Sequence, residues 1–193
     1  MGNLWCSSHL IDTGEGLILL DTPCAGSMPG LIHNIWKLGF NPEDLKYIIV
    51  SPRPYGITTP ASNALVHLSG AKTFLSAVDA KDMREHPERM EAMNRELGYY
   101  NESFVPDVEL QDGDLIQLGN TTIRCVLTPG HTIGVMSHFW TLQDGQDTIR
   151  VGIYGGAGFV SVSEAALRRN GMPLSLQQDF LTSIDKVWDS LWI

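Results

Sequence analysis

The chain has 193 residues, with 13 Lys or Arg against 22 Asp or Glu, so its formal net charge is −9. This acidic balance disfavours nucleic acid and anionic membrane surfaces as partners, because both are bound by basic faces. With 43% hydrophobic residues and no apolar run near the roughly 20 residues of a membrane-spanning helix, the composition predicts one globular domain over residues 1–193. The N-terminus lacks the basic and apolar stretches of a signal peptide, so we expect a cytoplasmic protein.

The first half of the sequence predicts strands that alternate with helices. Residues 16–21 form a short apolar run between a glycine and an Asp-Thr-Pro turn, which indicates a strand buried on both faces. Tyr47 opens a second apolar run of the same kind. The predicted elements are strands over residues 16–21, 47–51 and 72–75, helices over 29–38, about 61–68 and 79–97 with a break near Pro87, and a helical turn over 41–44.

The second half predicts two hairpins and a long helix. The hairpins are residues 115–118 and 121–127 around Gly119-Asn120, and residues 135–142 and 148–154 around Asp144-Gly145. Apolar residues at helical spacing from Phe180 to Leu191 indicate the helix, with Ser175 and Gln178 placed as its capping box. Three tryptophans at apolar phases of their elements are assigned to the core: Trp36, Trp140 and Trp188. Strands in both halves, with helices between and after them, predict a layered α/β sandwich of sheets covered by helices.

Two loops directly follow predicted strands, at the position where open α/β sheets bind ligands. Residues 52–60 contain three prolines and a glycine and are predicted to be irregular. Residues 128–134 read Thr-Pro-Gly-His-Thr-Ile-Gly and place His131 at the mouth of a sheet. An imidazole there can bind a metal or move a proton, although a lone histidine in a turn also serves structural roles.

Three segments together resemble the metallo-β-lactamase superfamily: residues 8–22, residues 47–51 and the Gly130-His131-Thr132 loop. The likeness covers nearly the whole chain and is greatest to the branch that contains the third-subclass enzymes. It implies an αββα sandwich with a mono- or dinuclear zinc site along one edge, where a metal-bound hydroxide attacks a carbonyl or phosphoryl centre. Zinc lowers the pKa of its bound water towards about 7 and polarises the substrate, so no protein nucleophile is required.

The same resemblance shows where this sequence departs from the family. The family's His-x-His-x-Asp-His motif follows the strand over residues 47–51, and its four ligand positions read here Pro52, Pro54, Gly56 and Ile57. None of these side chains coordinates zinc, whereas the loop ligand is retained as His131. The sandwich is expected to be incomplete at both termini, without the family's first strands and its last histidine. Zinc is the cofactor that the resemblance implies, but His131 is the one expected ligand that this sequence keeps.

Residues 51–54, Ser-Pro-Arg-Pro, are what a Ser-His-Gly-His segment becomes when a cytosine is inserted after the first codon (TCC CAC GGC CAC to TCC CCA CGG CCA). Tyr55 is common in the motif and agrees with a reading frame recovered there, whereas Gly56 and Ile57 need a separate cause. Natural loss, a compensated frameshift and a sequence error stay open. Resequencing the source DNA tests the last of these, because a clean read that encodes Pro-Arg-Pro excludes a sequence error but not an older frameshift.

The other candidate residues are assigned ordinary roles. Cys24 follows a strand without a histidine placed as its base, and the three cysteines form neither a disulfide framework nor a zinc ribbon. Residues 155–158 do not complete a dinucleotide-binding pattern and are predicted to be a tight turn. The remaining histidines have no ligand-like spacing: His9, His33, His67, His86 and His138.

Three hypotheses about function follow. The first is a metallo-β-lactamase-fold hydrolase by descent, acting on a carbonyl or ester-type small molecule, whose metal catalysis is impaired or absent in this chain. The second is a non-catalytic relative that binds a small ligand or a protein and presents Arg53 and Tyr55 from its proline-rich loop. The third is a fragment without a function of its own, whose exposed sheet edge favours a homodimer.

Overall fold

The computed structural model describes residues 7–23, 25–51, 59–88, 105–156 and 162–192. Contacts between Cα atoms divide the chain into two compact units, residues 1–75 with 80–109 and residues 76–79 with 110–193. The expectation of a single domain stays a prediction. Within the described residues, no helix combines the length and the apolar character that crossing a membrane requires.

Five strands form the first sheet: β1 (His9–Asp12), β2 (Leu17–Leu20), β3 (Leu45–Ile49), β4 (Lys72–Ser76) and β5 (Val108–Leu110). They lie across the sheet in chain order, with β1 antiparallel to β2 and with β2, β3 and β4 parallel. All four residues of β2 are buried, which confirms the prediction from its apolar run. β3 begins at Leu45 rather than at Tyr47, because Leu45 pairs with Leu17 of β2.

Among the described residues, three helices are interleaved in sequence with these strands: α1 (Met28–Lys37), α2 (Thr59–Ser69) and α3 (Ala77–Glu85). In α1, Leu31 and Ile35 lie on the predicted stripe and are buried in the core of the unit. Trp36 is 61% exposed, so its assignment to the core is wrong. It follows Ile35 by one residue, which turns it about 100° around the helix and away from the buried stripe. Leu38 is also exposed, because the helix ends at Lys37.

The second sheet is antiparallel and contains β6 (Leu115–Leu118), β7 (Thr121–Leu127), β8 (Met136–Asp144) and β9 (Asp147–Ile153) in chain order. Leu118 pairs with Thr121 across the two-residue turn Gly119-Asn120, and Gly119 takes a φ of 50° that favours glycine. The predicted hairpins are confirmed. Trp140 of β8 is buried, which confirms its assignment to the core.

Two further helices end the chain, α4 (Glu164–Arg169) and α5 (Leu176–Ser190). The predicted capping box at the start of α5 is wrong, because Ser175 has helical dihedral angles and makes no side-chain cap hydrogen bond. Leu176, Phe180 and Ser183 form the buried stripe of the helix. Trp188 is 62% exposed and does not belong to the core. The small side chain of Ser183 occupies a buried position, so the buried stripe shares Phe180 with the predicted apolar stripe but is shifted around the helix from it.

Candidate functional site

The loop that carries His131 joins β7 to β8, where the sequence predicts it. The Thr128 amide donates a hydrogen bond to the Val135 carbonyl at 2.9 Å and closes the base of the loop. Within the loop, the Gly130 amide donates to the Thr132 carbonyl at 3.0 Å. These bonds form a narrow turn around His131.

Asp79 fixes this loop from the start of α3. Its carboxylate is 3% exposed and accepts hydrogen bonds from Thr132 Oγ1 at 2.8 Å and from the Gly134 amide at 2.9 Å. The Asp79 amide in turn donates to Ser76 Oγ at 3.1 Å. A Cβ at Gly134 would lie 2.6 Å from the Asp79 carboxyl carbon, so the approach requires glycine. The second half of the loop is therefore held by charge-assisted hydrogen bonds to a buried carboxylate.

Helix α5 fixes the first half of the loop. Ser183 Oγ donates to the Pro129 carbonyl at 2.8 Å. The ring of Phe180 lies so close to Gly130 that a Cβ there would be 2.8 Å from Phe180 Cδ2. The small residues of the loop are thus required by packing as well as by its turn.

His131 is half-buried in this fixed loop. The chain returns past it at Gly156, whose φ of 105° lies in the region that favours glycine. A Cβ at Gly156 would be 3.9 Å from His131 Cβ, an ordinary contact distance. Both the loop and the returning chain therefore have defined positions around His131.

In the other unit, Asp21 fixes the chain directly before the altered motif. Its φ of 61° is uncommon for a residue other than glycine and is often found at functional sites. The Asp21 amide donates to the Ile49 carbonyl at 2.9 Å, and its Oδ1 accepts from the Ser51 amide at 2.7 Å. These bonds tie the end of β2 to the end of β3. The altered positions themselves lie outside the described residues: Pro52, Arg53, Pro54, Tyr55, Gly56 and Ile57.

The donor set does not fit the zinc centre that the resemblance implies. A catalytic zinc is held by three protein ligands and a structural zinc by four. In the described ranges, no group of three or more His, Cys, Asp or Glu side chains could hold a metal ion. At the four motif positions the residues are proline, glycine and isoleucine, whose side chains carry no nitrogen, oxygen or sulfur donor. His131 as a metal ligand stays a prediction.

The remaining histidines lie apart in sequence and in structure. His9, His33 and His67 are exposed on β1, α1 and α2, and His86 Nδ1 lies 3.2 Å from Glu88 Oε1. Cys24 lies outside the described residues, as do positions 157 and 158 of the predicted glycine-rich turn.

His138 is buried on β8, where it pairs in register with Cys125 of β7. Its Nδ1 has no hydrogen-bond partner among the described residues. Burial lowers the pKa of His138 to about 4 and raises the pKa of the Cys125 thiol to about 12. Both side chains are therefore neutral at pH 7.

Sequence reasoning missed Asp79 and Asp21 as positioning residues. Asp79 was assigned to the start of a charged helix, and the signal for that start is the spacing of Ser76 and Asp79, typical of a capping box. The spacing predicts a helix terminus, but it does not predict that the carboxylate bonds a loop more than 50 residues away, at Thr132 and Gly134. No local signal marks Asp21 beyond the turn in which it lies.

No family model matches the chain, and no curated protein matches it. Several solved structures do. The metallo-β-lactamase GOB-18 from Elizabethkingia meningoseptica has 29% sequence identity and a TM-score of 0.71, over 91% of this chain and 64% of that one. BJP-1, a subclass B3 metallo-β-lactamase of Bradyrhizobium japonicum, has 25% identity and a TM-score of 0.77, over 93% and 66%. A Cronobacter sakazakii metallo-β-lactamase with a HARLDQ motif has 29% identity and a TM-score of 0.74, over 96% and 70%.

These matches confirm the resemblance and the fold that the sequence motifs indicate. The chain spans 64–70% of the length of these solved proteins. It has the metallo-β-lactamase fold, an α/β fold with two sheets, and it is structurally similar to subclass B3 metallo-β-lactamases.

Proposed function

We propose that this chain is a metallo-β-lactamase-fold hydrolase by descent in which zinc-dependent hydrolysis is impaired or absent. One observation carries the proposal: hydrogen bonds from Asp79 and α5 support the His131 loop, whereas the four motif positions before it in sequence carry no donor side chains. The ancestral substrate is proposed to be a small molecule with a carbonyl or ester-type centre, in keeping with the β-lactamases that share the fold.

A single imidazole does not provide the ligand field of a zinc hydrolase. Catalytic zinc needs several protein ligands to fix its position and to leave one coordination site for water. If His131 were the sole protein ligand, water would occupy the other coordination sites of the zinc ion. Such an ion would dissociate readily and would have no fixed position relative to a substrate. What the chain's own residues supply is a fixed position for one imidazole.

Restoring the donors tests this proposal. The quadruple variant Pro52→His, Pro54→His, Gly56→Asp and Ile57→His is purified beside the parent chain, and zinc content is measured after dialysis. We expect no stoichiometric zinc in the parent and at least one zinc per chain in the variant. A matched control adds His131→Ala to the quadruple variant and is expected to lower zinc occupancy. Hydrolysis of a chromogenic cephalosporin reports any recovered activity.

The proposal is overturned if the parent chain binds stoichiometric zinc and hydrolyses the cephalosporin, with both lost in His131→Ala. It is also overturned if the quadruple variant folds, as judged by its melting transition, and binds no zinc. In the latter case residues 52–57 would not be positioned to bind a metal ion even with donor side chains.

The alternative function is a non-catalytic binding module on the same fold. The supported His131 loop favours it, because a presented imidazole can bind a small ligand without a metal. A melting-temperature increase on ligand addition that is insensitive to chelators and reduced in His131→Ala would support this alternative. The partner classes, including a homodimer, and the cytoplasmic location remain proposals.

A further inference from the structure

A second candidate site lies in the unit that contains the antiparallel sheet. A cavity of about 130 Å3 is bounded by β7, β8, β9 and the C-terminal end of α5. Its lining includes Phe139, Val151 and Leu191 together with the side chains of Arg124 and Arg150. None of its lining residues belongs to the His131 loop, so a ligand here would be independent of the proposed function.

Both arginines bind the end of α5. Arg124 Nη2 donates to the Ser190 carbonyl at 3.1 Å, and Arg150 Nη1 donates to the Leu191 carbonyl at 3.2 Å. The last turn of α5 has no basic residue of its own, and the carbonyl end of a helix carries partial negative charge. The arginines therefore cap the helix from the strands.

Capping leaves further N–H donors on both arginines for a ligand. A guanidinium has five N–H donors, and each of these groups uses one on a helix carbonyl. In the part of the chain that the structure describes, neither Arg124 nor Arg150 forms an ion pair. This is unexpected in a chain with 22 acidic and 13 basic residues. Two positive side chains thus meet at one cavity, and none of the acidic side chains in the described ranges pairs with either of them.

The cavity also has apolar lining residues. The Arg124 guanidinium lies 5.6 Å from the centre of the Phe139 ring, which holds it by a cation–π contact. Val151 and Leu191 add aliphatic side chains to the lining. In another protein, an engineered cavity of about 150 Å3 binds benzene, so the volume here suits a single ring.

We propose that this cavity binds a small aromatic carboxylate, with the carboxylate on Arg124 and Arg150 and the ring against Phe139, Val151 and Leu191. Guanidinium groups pair with carboxylates through parallel hydrogen bonds, which a neutral ligand does not form with equal strength. The ligand class is therefore inferred from the two guanidinium groups and from the volume and apolar lining of the cavity.

Benzoate is the probe, and benzamide is its neutral counterpart of nearly the same shape. The full chain is titrated with each compound and followed by amide chemical shifts. We expect benzoate to bind with a dissociation constant on the order of 1 mM and benzamide to bind about tenfold more weakly. The largest shifts should fall on β8, β9 and the end of α5. Equal affinity for the two compounds overturns the proposal.

Two arginine variants test the assignment of the carboxylate site. Arg124→Gln and Arg150→Gln are each expected to weaken benzoate binding about tenfold. The matched control is Arg168→Gln on α4, an exposed arginine that pairs with Glu164 and lies outside the cavity, and it should leave the affinity unchanged. Unchanged affinity in both cavity variants overturns the proposal.

A third variant tests benzoate binding without removing the hydrogen bonds from the arginines to α5. Thr141→Phe fills the cavity from β8 and retains both arginines. It should abolish benzoate binding and keep the melting temperature of the parent. Benzoate binding that persists in this variant overturns the proposal.

Discussion

At the scale of single residues, buried and half-buried carboxylates order the loops of this molecule. Asp79 accepts two hydrogen bonds from the His131 loop, and Asp21 accepts one from the Ser51 amide. An ionised carboxylate only accepts hydrogen bonds. It can therefore satisfy several amide and hydroxyl donors of a loop at once. Removing such a carboxylate leaves buried donors without partners, which costs more than the loss of an exposed hydrogen bond.

We predict that Asp79→Ala lowers the free energy of unfolding by about 3 kcal/mol, because Thr132 Oγ1 and the Gly134 amide lose their buried acceptor. Urea denaturation measures the change. The control Glu85→Ala lies on the same helix at an exposed position and should have no measurable effect. Combining Asp79→Ala with Thr132→Val should cost less than the sum of the single changes, and strict additivity would contradict the proposed contact.

We predict that His138 makes the fold sensitive to acid. The folded-state pKa is about 4 against an ordinary value of 6.5, because burial disfavours the charged imidazole. Below pH 6.5 the unfolded chain therefore binds a proton that the folded chain does not. The stabilisation is present above pH 6.5 and is lost as the pH falls towards 4, by about 2 kcal/mol between pH 7 and pH 5.

Urea denaturation at several pH values measures this effect in the parent and in His138→Leu. Carboxylates contribute the same background to both proteins, so the difference between the two pH profiles isolates the imidazole. Cys125, which pairs with His138 across the sheet, stays protonated over this range because its pKa is about 12. Parallel profiles for the two proteins would show that His138 does not titrate abnormally.

At the scale of elements, small residues decide which helix face is buried. The buried stripe of α5 passes through Ser183 and Ser190, which are small enough to lie close to the loop and the sheet. Leu181, Ile184 and Trp188 lie on the adjacent face and are about half exposed or more. Hydrophobic periodicity predicted the existence of the helix and the burial of Phe180 correctly, but it wrongly included the exposed Leu181, Ile184 and Trp188 in the buried stripe.

We predict that the same Gly→Ala change has opposite effects on stability at two positions. Gly130→Ala should destabilise the fold by about 1–3 kcal/mol, because the new Cβ would lie 2.8 Å from Phe180 Cδ2. Gly30→Ala, in α1 with nothing within 4 Å, should stabilise it by up to about 1 kcal/mol through helix propensity. Thermal unfolding measures both, and Phe180→Leu should recover part of the loss in Gly130→Ala. Equal effects would show that the Phe180 contact is not close.

At the scale of the whole molecule, an exposed sheet edge favours self-association. Among the described strands, β9 lies at one edge of the antiparallel sheet and pairs along its full length with β8. Most of its side chains are exposed. An exposed, regular edge strand can add a strand from a second molecule.

We predict concentration-dependent self-association of the chain, measured by size exclusion with light scattering. Ile149→Lys places a charge on β9 and should shift the equilibrium towards monomer. Leu174→Lys makes the same change of charge at an exposed apolar residue outside the strands and should not. A parent chain that is monomeric at every concentration would contradict this prediction.

Much of the fold could be predicted from local sequence. The Asn41 side chain accepts from the Glu43 amide at the predicted turn, and Gly119-Asn120 forms the predicted hairpin. Both depend on residues a few positions apart, whose conformational preferences act within the segment itself. The position of His131 between β7 and β8 was predictable for the same reason.

The sequence by itself determined most of the strands and helices, the family resemblance and the loss of donor side chains at the altered motif, because each is a property of residue types and their spacing. It did not predict β1, β5 or α4, which are short elements of three to six residues. The tertiary structure decided which face of α5 is buried, that Asp79 supports the His131 loop, and that two arginines meet at one cavity. These depend on contacts between residues distant in sequence, such as Asp79 with Thr132 and Arg124 with Ser190. Local pattern carries no information about such distances, since they are fixed only when the elements pack together.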